Sequence, residues 1–198
     1  MLTKAEKTTQ YILETVAPYF NKHGYTGTSL SDITKATGLS KGAIYGNFES
    51  KEQLALEAFN FNIRRAMGIL RNHMNMDAPG LARLFAMTNF FRNYYIQERE
   101  FGGCPMQNVG IDSLNHNTIL HHRVLEVMKK LIRKIADMID EAKQDGDIKE
   151  EIDSLRIANN IYAQIQGSIF MANMMHNEDH MNEMMNHIDR MIKNELMK

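Results

Sequence analysis

Apolar residues return every three or four positions along almost the whole chain, and no stretch alternates Val, Ile, Thr and aromatic residues between turn signals. The pattern predicts an all-α fold. Ile12, Leu13, Val16, Ala17 and Phe20 make the inward stripe of a first helix that stops at His23-Gly24, where glycine suits a left-handed cap. Thr28 or Ser29 then caps a short helix carrying Leu30 and Ile33. Gly38 ends it, and Ser40 caps a third helix with Ala43, Ile44 and Phe48 before Ser50 opens a fourth.

From Glu52 the elements lengthen. Leu56, Phe59, Ile63, Met67, Leu70 and Met74 mark a helix of about six turns, ended by Asp77-Ala78-Pro79-Gly80. A Phe- and Tyr-rich helix is expected from Leu81 to about Gln97, with Phe85, Phe90, Phe91, Tyr94 and Tyr95. Gly102-Gly103-Cys104-Pro105 breaks it, and a short segment follows to Asn115. Val124, Met128, Leu131, Ile135, Met138 and Ala142 define a long helix interrupted at Asp145-Gly146. Asp153 caps another through Ile157, Ile161, Tyr162, Ile165 and Ile169, and a last helix carries Met181 to Leu196.

Composition narrows the class. The 198 residues are 43% hydrophobic and 24% charged, enough to bury a sizeable core and incompatible with disorder. A single cysteine, Cys104, excludes an intrachain disulfide and any cysteine-cluster zinc site. No apolar run approaches the ~20 residues of a membrane span, and the amphipathic start of the chain is unlike an export signal, so a cytoplasmic protein without membrane partners is expected. The formal net charge of −1 hides a mild asymmetry. Residues 1–51 hold six Lys against four acids, whereas the rest is net acidic. A small basic surface at one end is therefore possible, but it identifies nothing without a motif.

The motif lies in that basic part. From Thr28 to Phe48 two short helices meet at a turn holding Gly38, with Leu30, Ile33, Leu39, Ile44 and Phe48 spaced to pack on Ile12, Val16 and Phe20. This is helix-turn-helix patterning. The outward face of the third helix offers Lys41, the small Gly42 and Ala43, then Tyr45 and Asn47; small residues at its start let it sink into a major groove about 12 Å wide. Hydroxyls and free amides at Thr28, Ser29 and Ser40, with the ammonium of Lys51, are candidates for phosphate contacts. Taken singly, Tyr45 also fits a half-buried core aromatic, Lys41 and Lys51 fit solvated charges, and Asn47 fits a contact to phosphate or water as well as to a base.

Gly38-Leu39-Ser40-Lys41-Gly42-Ala43-Ile44-Tyr45-Gly46-Asn47-Phe48, followed by Ser50-Lys51-Glu52, closely resembles the DNA-binding domain of TetR/AcrR transcriptional regulators. Gly46 departs from the family pattern, in which a larger polar residue is common, and this bears on operator preference. The resemblance implies DNA binding by residues 1–48, and effector sensing and dimerisation by residues 49–198. It further implies a homodimeric repressor on a palindromic operator, released when a small molecule binds. No catalytic motif is present, so no enzyme activity and no cofactor are expected.

Candidate sites in the larger part are less sharply drawn. The resemblance places an effector site in the central region, where Phe90, Phe91, Tyr94, Cys104, Met106, Asn108 and His121 are the candidates, with Tyr162. Cys104, between two glycines and a proline, is a candidate oxidant- or electrophile-sensing thiol if it lies near a helix start. His176, His180, Met184 and His187 would share one face of a continuous helix, as a haem or metal carrier requires, yet Asn177-Glu178-Asp179 looks like a break. Ile165, Ile169, Met181, Met184, Met185, Ile188 and Ile192 form an apolar seam with too little chain left to cover it, and are expected at the dimer interface.

Overall fold

A computed structural model describes residues 3–94 and 101–198. Within them lie α1 (Lys4–His23), α2 (Leu30–Thr37), α3 (Lys41–Tyr45), α4 (Lys51–His73), α5 (Gly80–Arg92), α6 (Pro105–Ser113), α7 (Thr118–Gln144), α8 (Ser154–Met175) and α9 (Asp179–Met191), the last continuing into a π turn over Ile192–Leu196. The fold is all-α. Among the described residues the β pairing is an isolated bridge between Ile148 and Met197. The expected aromatic helix is present as α5, and Tyr95 and Gln97 lie outside the described residues.

The chain divides into two compact units: Met1–Ala66 with Phe101–Leu125, and Met67–Glu100 with Glu126–Lys198. The first unit therefore extends past residue 48, keeping α4 as far as Ala66 and taking in α6. Its core is the expected stripe of α1 with Ile33, Ile44, Phe48, Leu54 and Phe59, all buried. Each such side chain contributes roughly 1.5–3 kcal/mol by leaving water. The buried face of α4 is Leu54, Ala55, Ala58, Phe59, Asn62 and Ala66. Leu56, Ile63, Met67 and Leu70 are only half-buried, so the helix buries Leu54 and Phe59 among small residues and leaves its other aliphatic side chains partly exposed.

In the second unit α9 packs on α8 and α5. Polar side chains register α5 on α9: the Thr88 hydroxyl donates to Asp189 Oδ1 at 2.6 Å, and Arg92 Nη2 donates to Asp189 Oδ2 at 2.6 Å and to Asn186 Oδ1 at 3.0 Å. At the start of α5 an added Cβ on Gly80 would lie 2.2 Å from the Met138 carbonyl oxygen, so only glycine permits this approach to α7. The end of the chain is tied down as well. Lys149 N–H donates to the Leu196 carbonyl at 3.0 Å, and Lys198 N–H to the Asp147 carbonyl at 3.1 Å.

Candidate nucleic-acid interface

The head is built by three side-chain caps. Thr3 caps α1 in a reciprocal box with Glu6, Ser29 caps α2 in a box with Asp32, and the Ser40 hydroxyl accepts the Ala43 amide at 3.1 Å to start α3. Such caps satisfy amides that the first helical turn leaves open. Between α2 and α3, Gly38 adopts the left-handed conformation and its N–H closes on the Thr34 carbonyl at 2.9 Å. The Tyr11 hydroxyl of α1 donates to the Thr37 carbonyl at 2.9 Å, fixing the end of α2 from a neighbouring helix.

Helix α3 turns Ile44 into the core and leaves Lys41, Gly42 and Tyr45 exposed, Tyr45 at 39% of its accessible surface. Ala43 is half-buried. The Lys41 ammonium stands 5.8 Å from the Tyr45 ring centroid, within cation–π range. A Cβ on Gly42 would meet nothing closer than the Ser40 hydroxyl at 3.9 Å, so the start of the helix has open space around it. The outer face of α3 is bare.

Two of the expected contact residues already have partners within the chain. Thr28 is fully buried and its hydroxyl donates to the Gly24 carbonyl at 2.6 Å, so it braces the turn. Asn47 is half-buried between two partners: its amide donates to the Ala43 carbonyl at 2.8 Å and its oxygen accepts from Thr9 at 3.0 Å. Ser29 and Ser40 stay exposed as caps.

Lys51 is half-buried where it leaves the head. Its ammonium donates to the Tyr25 carbonyl at 2.6 Å and lies 4.2 Å from the Tyr25 ring centroid, leaving hydrogens for a further acceptor. Burial lowers the Lys51 pKa from its ordinary value, while Asp112 and Asp32 oppose that shift. Tyr25 itself has a raised pKa, chiefly from burial, with smaller contributions from Glu52 and Tyr45. Sequence reasoning missed Tyr25, Thr9 and Asp112. Only Tyr25, next to the Gly24 cap, carried any local signal.

The effector candidates are divided between the units. Phe90, Phe91 and Tyr94 form one aromatic cluster in the second unit, with ring centroids 5.2–5.8 Å apart. Tyr162 is also in the second unit, half-buried. Cys104, Met106, Asn108 and His121 belong to the first. Cys104 does precede the first turn of α6, but it is 3% exposed. Asn108 Nδ2 donates to the Asn21 and Gly102 carbonyls at 2.9 and 2.7 Å, the role of a brace. The His121 Nδ1 atom is buried without a hydrogen-bond partner. The break at residues 176–178 is real: α8 ends at Met175 with His176 in the left-handed region, and α9 starts at Asp179. His176, His180, Met184 and His187 therefore do not share one helix. Among the described residues no group of three His, Cys, Asp or Glu side chains could hold a metal.

The residues of the expected dimer seam lie mostly inside the second unit. Ile165, Ile169, Met181, Met185, Ile188 and Ile192 are all buried within the chain, and only Met184 is half-exposed. α9 packs on both α8 and α5, so the most apolar stripe serves the unit's own core. The uncovered apolar surface is instead the opposite side of α8, with Phe170 49%, Met171 41% and Met174 65% exposed, and Gly167 beside them. A shallow groove of about 200 Å³ adjoins it, lined by Gly167, Ser168, Met171, His180, Glu183 and Met184.

A three-helix head with a capped, bare third helix, joined to a larger helical body, defines a helix-turn-helix transcriptional regulator. The chain belongs to the TetR family. Residues 12–58 match the model for bacterial regulatory proteins of the tetR family, and residues 80–188 match that for the tetracyclin repressor-like C-terminal domain. The crystal structure of a TetR transcriptional regulator from Chloroflexus aurantiacus is 31% identical and covers 99% of both chains with a TM-score of 0.93. An uncharacterized HTH-type transcriptional regulator of Lactococcus lactis is 28% identical, covering 83% of this chain and 82% of its own. The HTH-type transcriptional repressor DhaR of a Mycobacterium strain is 23% identical over 86% of this chain and 84% of its own. Members of this family regulate transcription by binding DNA and are not enzymes. Among the described residues no helix is long and apolar enough to cross a membrane.

Proposed function

We propose that this protein is a homodimeric, cytoplasmic repressor that leaves a palindromic operator when its body binds a small molecule. The bare outer face of α3 carries the reading: Tyr45, Lys41 and Gly42 project from a helix whose other side is locked into the head. Tyr45 and Lys41 would meet base edges and flanking phosphates in the major groove, while the caps at Ser29 and Ser40 and the Lys51 ammonium fix the register on the backbone. A two-fold axis would set two such helices on half-sites one turn of duplex, or a multiple, apart. The name of the Mycobacterium relative favours repression.

Dimerisation through the exposed side of α8 supports this geometry, since Gly167 allows close approach and Phe170, Met171 and Met174 supply apolar area. The effector would be a small, largely apolar molecule taken against Phe90, Phe91 and Tyr94, and it shifts the equilibrium only by its differential affinity for the two states. The near-complete burial of Cys104 disfavours direct attack on its thiol. Genomic fragments captured by the purified protein supply the operator. Tyr45→Ala should abolish specific capture and leave thermal unfolding unchanged; retention of the same fragments at the same affinity would refute the assignment.

A further inference from the structure

Helix α6 lies outside the helix-turn-helix, yet it grips the end of α1 and the turn that follows. Asn21 Nδ2 donates to the carbonyls of Phe101 and Gly103 at 2.7 and 2.8 Å, and Asn108 returns a bond to the Asn21 carbonyl at 2.9 Å. One helical turn further along both elements, Asp112 Oδ2 accepts the Tyr25 amide at 2.6 Å. The carboxylate sits directly over Gly24: a Cβ there would lie 3.0–3.1 Å from its atoms, and the backbone has φ of +74°. The carbonyl of the same residue, in the next peptide unit, is also engaged, because it accepts from Lys51 Nζ. Asp112, Tyr25 and Lys51 thus form one chain of hydrogen bonds from α6 through the turn to the start of α4.

We propose that Asp112 is a positioning residue for DNA binding, holding the Gly24-Tyr25 turn so that Tyr25 aims the Lys51 ammonium at a backbone phosphate. This rests on the reading of Lys51 as a phosphate contact. A lysine on a flexible four-carbon stem is a poorly oriented donor until something restricts it. Here a carbonyl and an aromatic face restrict it, and both belong to Tyr25, whose amide is fixed by Asp112. The carboxylate also supports the charged form of the half-buried ammonium.

The test is the salt dependence of binding to a mixed-sequence DNA duplex, which counts phosphate contacts without knowledge of the operator. Lys51→Met should lower the slope of log affinity against log salt by about 0.9 per protomer bound. Asp112→Ala should lower it equally and speed hydrogen exchange at the Tyr25 amide. Asp112→Asn, which keeps an oxygen acceptor, should hold the wild-type slope. A reduced slope in Lys51→Met with a wild-type slope in Asp112→Ala overturns the inference and leaves the role of Lys51 standing. A wild-type slope in Lys51→Met removes that role and the inference with it. Weaker binding at unchanged slope, with a lower unfolding midpoint, would mark Asp112 as a stabilising contact only and also overturns it. Should Asp112→Ala fail to fold, Asp112→Ser, whose hydroxyl is too short to reach the Tyr25 amide, gives the same reading.

Discussion

The Thr9 hydroxyl donates a 3.0 Å hydrogen bond to the side-chain oxygen of Asn47, tying α1 to the segment just past α3. Since the Asn47 amide also donates to the Ala43 carbonyl, the residue closes the end of α3 instead of projecting from it. An amide held on both sides is a poor reader of bases, because a bidentate contact to adenine would require both groups to be released. Lys41 and Tyr45 remain the exposed candidates on this helix.

Asn47→Ala should therefore lower the stability of the protein by about 1–2 kcal/mol, since it removes two hydrogen bonds each worth about 1 kcal/mol net. The set of duplex sequences selected by the variant should match that of the wild type. Denaturant unfolding checks the first expectation, and sequencing of bound fragments checks the second. A changed base preference at one operator position would show that Asn47 reads DNA.

The two apolar sides of α8 and α9 predict opposite outcomes for the same kind of change. Met174→Glu or Phe170→Glu, at exposed positions, should give a folded monomer in sedimentation. Ile188→Glu places a charge where the side chain is 0% exposed, and should unfold the second unit instead of dissociating a dimer. A Met174→Glu protein that still sediments as a dimer would place the interface elsewhere.

Acid should weaken the cap at the start of α2. The Asp32 carboxyl is held below its ordinary value of 3.8, mainly by the Ser29 hydroxyl and next by the Ser29 amide. A folded-state value below the unfolded one means that the unfolded chain takes up the proton more readily. The contribution is complete above the ordinary value and is lost as pH falls through the folded one. The difference in thermal midpoint between wild type and Asp32→Asn should therefore be constant near neutrality and narrow below about pH 4. A difference that persists unchanged into strong acid would show that the carboxylate charge is irrelevant to the cap.

Much of the head was legible because its signals are local. Ser29, Gly38, Ser40 and Asp153 act within one helical turn of themselves, and each stands at the element end that its chemistry predicts. The DNA-facing candidates were less evenly readable. Exposure of Lys41 and Tyr45 follows from helical spacing once Ile44 is turned inward, whereas the fates of Thr28 and Asn47 depend on which carbonyl or hydroxyl lies within reach.

By itself the sequence determined the all-α class, the helix-turn-helix and its caps, since a period of 3.6 residues and the chemistry of helix ends are properties of short windows. Only the tertiary structure decided which apolar side of α8 and α9 is core and which is left open, because both sides satisfy the same periodicity and the choice is made by the packing of α9 against α8 and α5. It likewise decided that Asp112 meets Tyr25, 87 positions away, and that Thr9 meets Asn47 across 38. A hydrogen bond forms wherever folding brings a donor and an acceptor within about 3 Å, and at such separations no local pattern states which pair that will be.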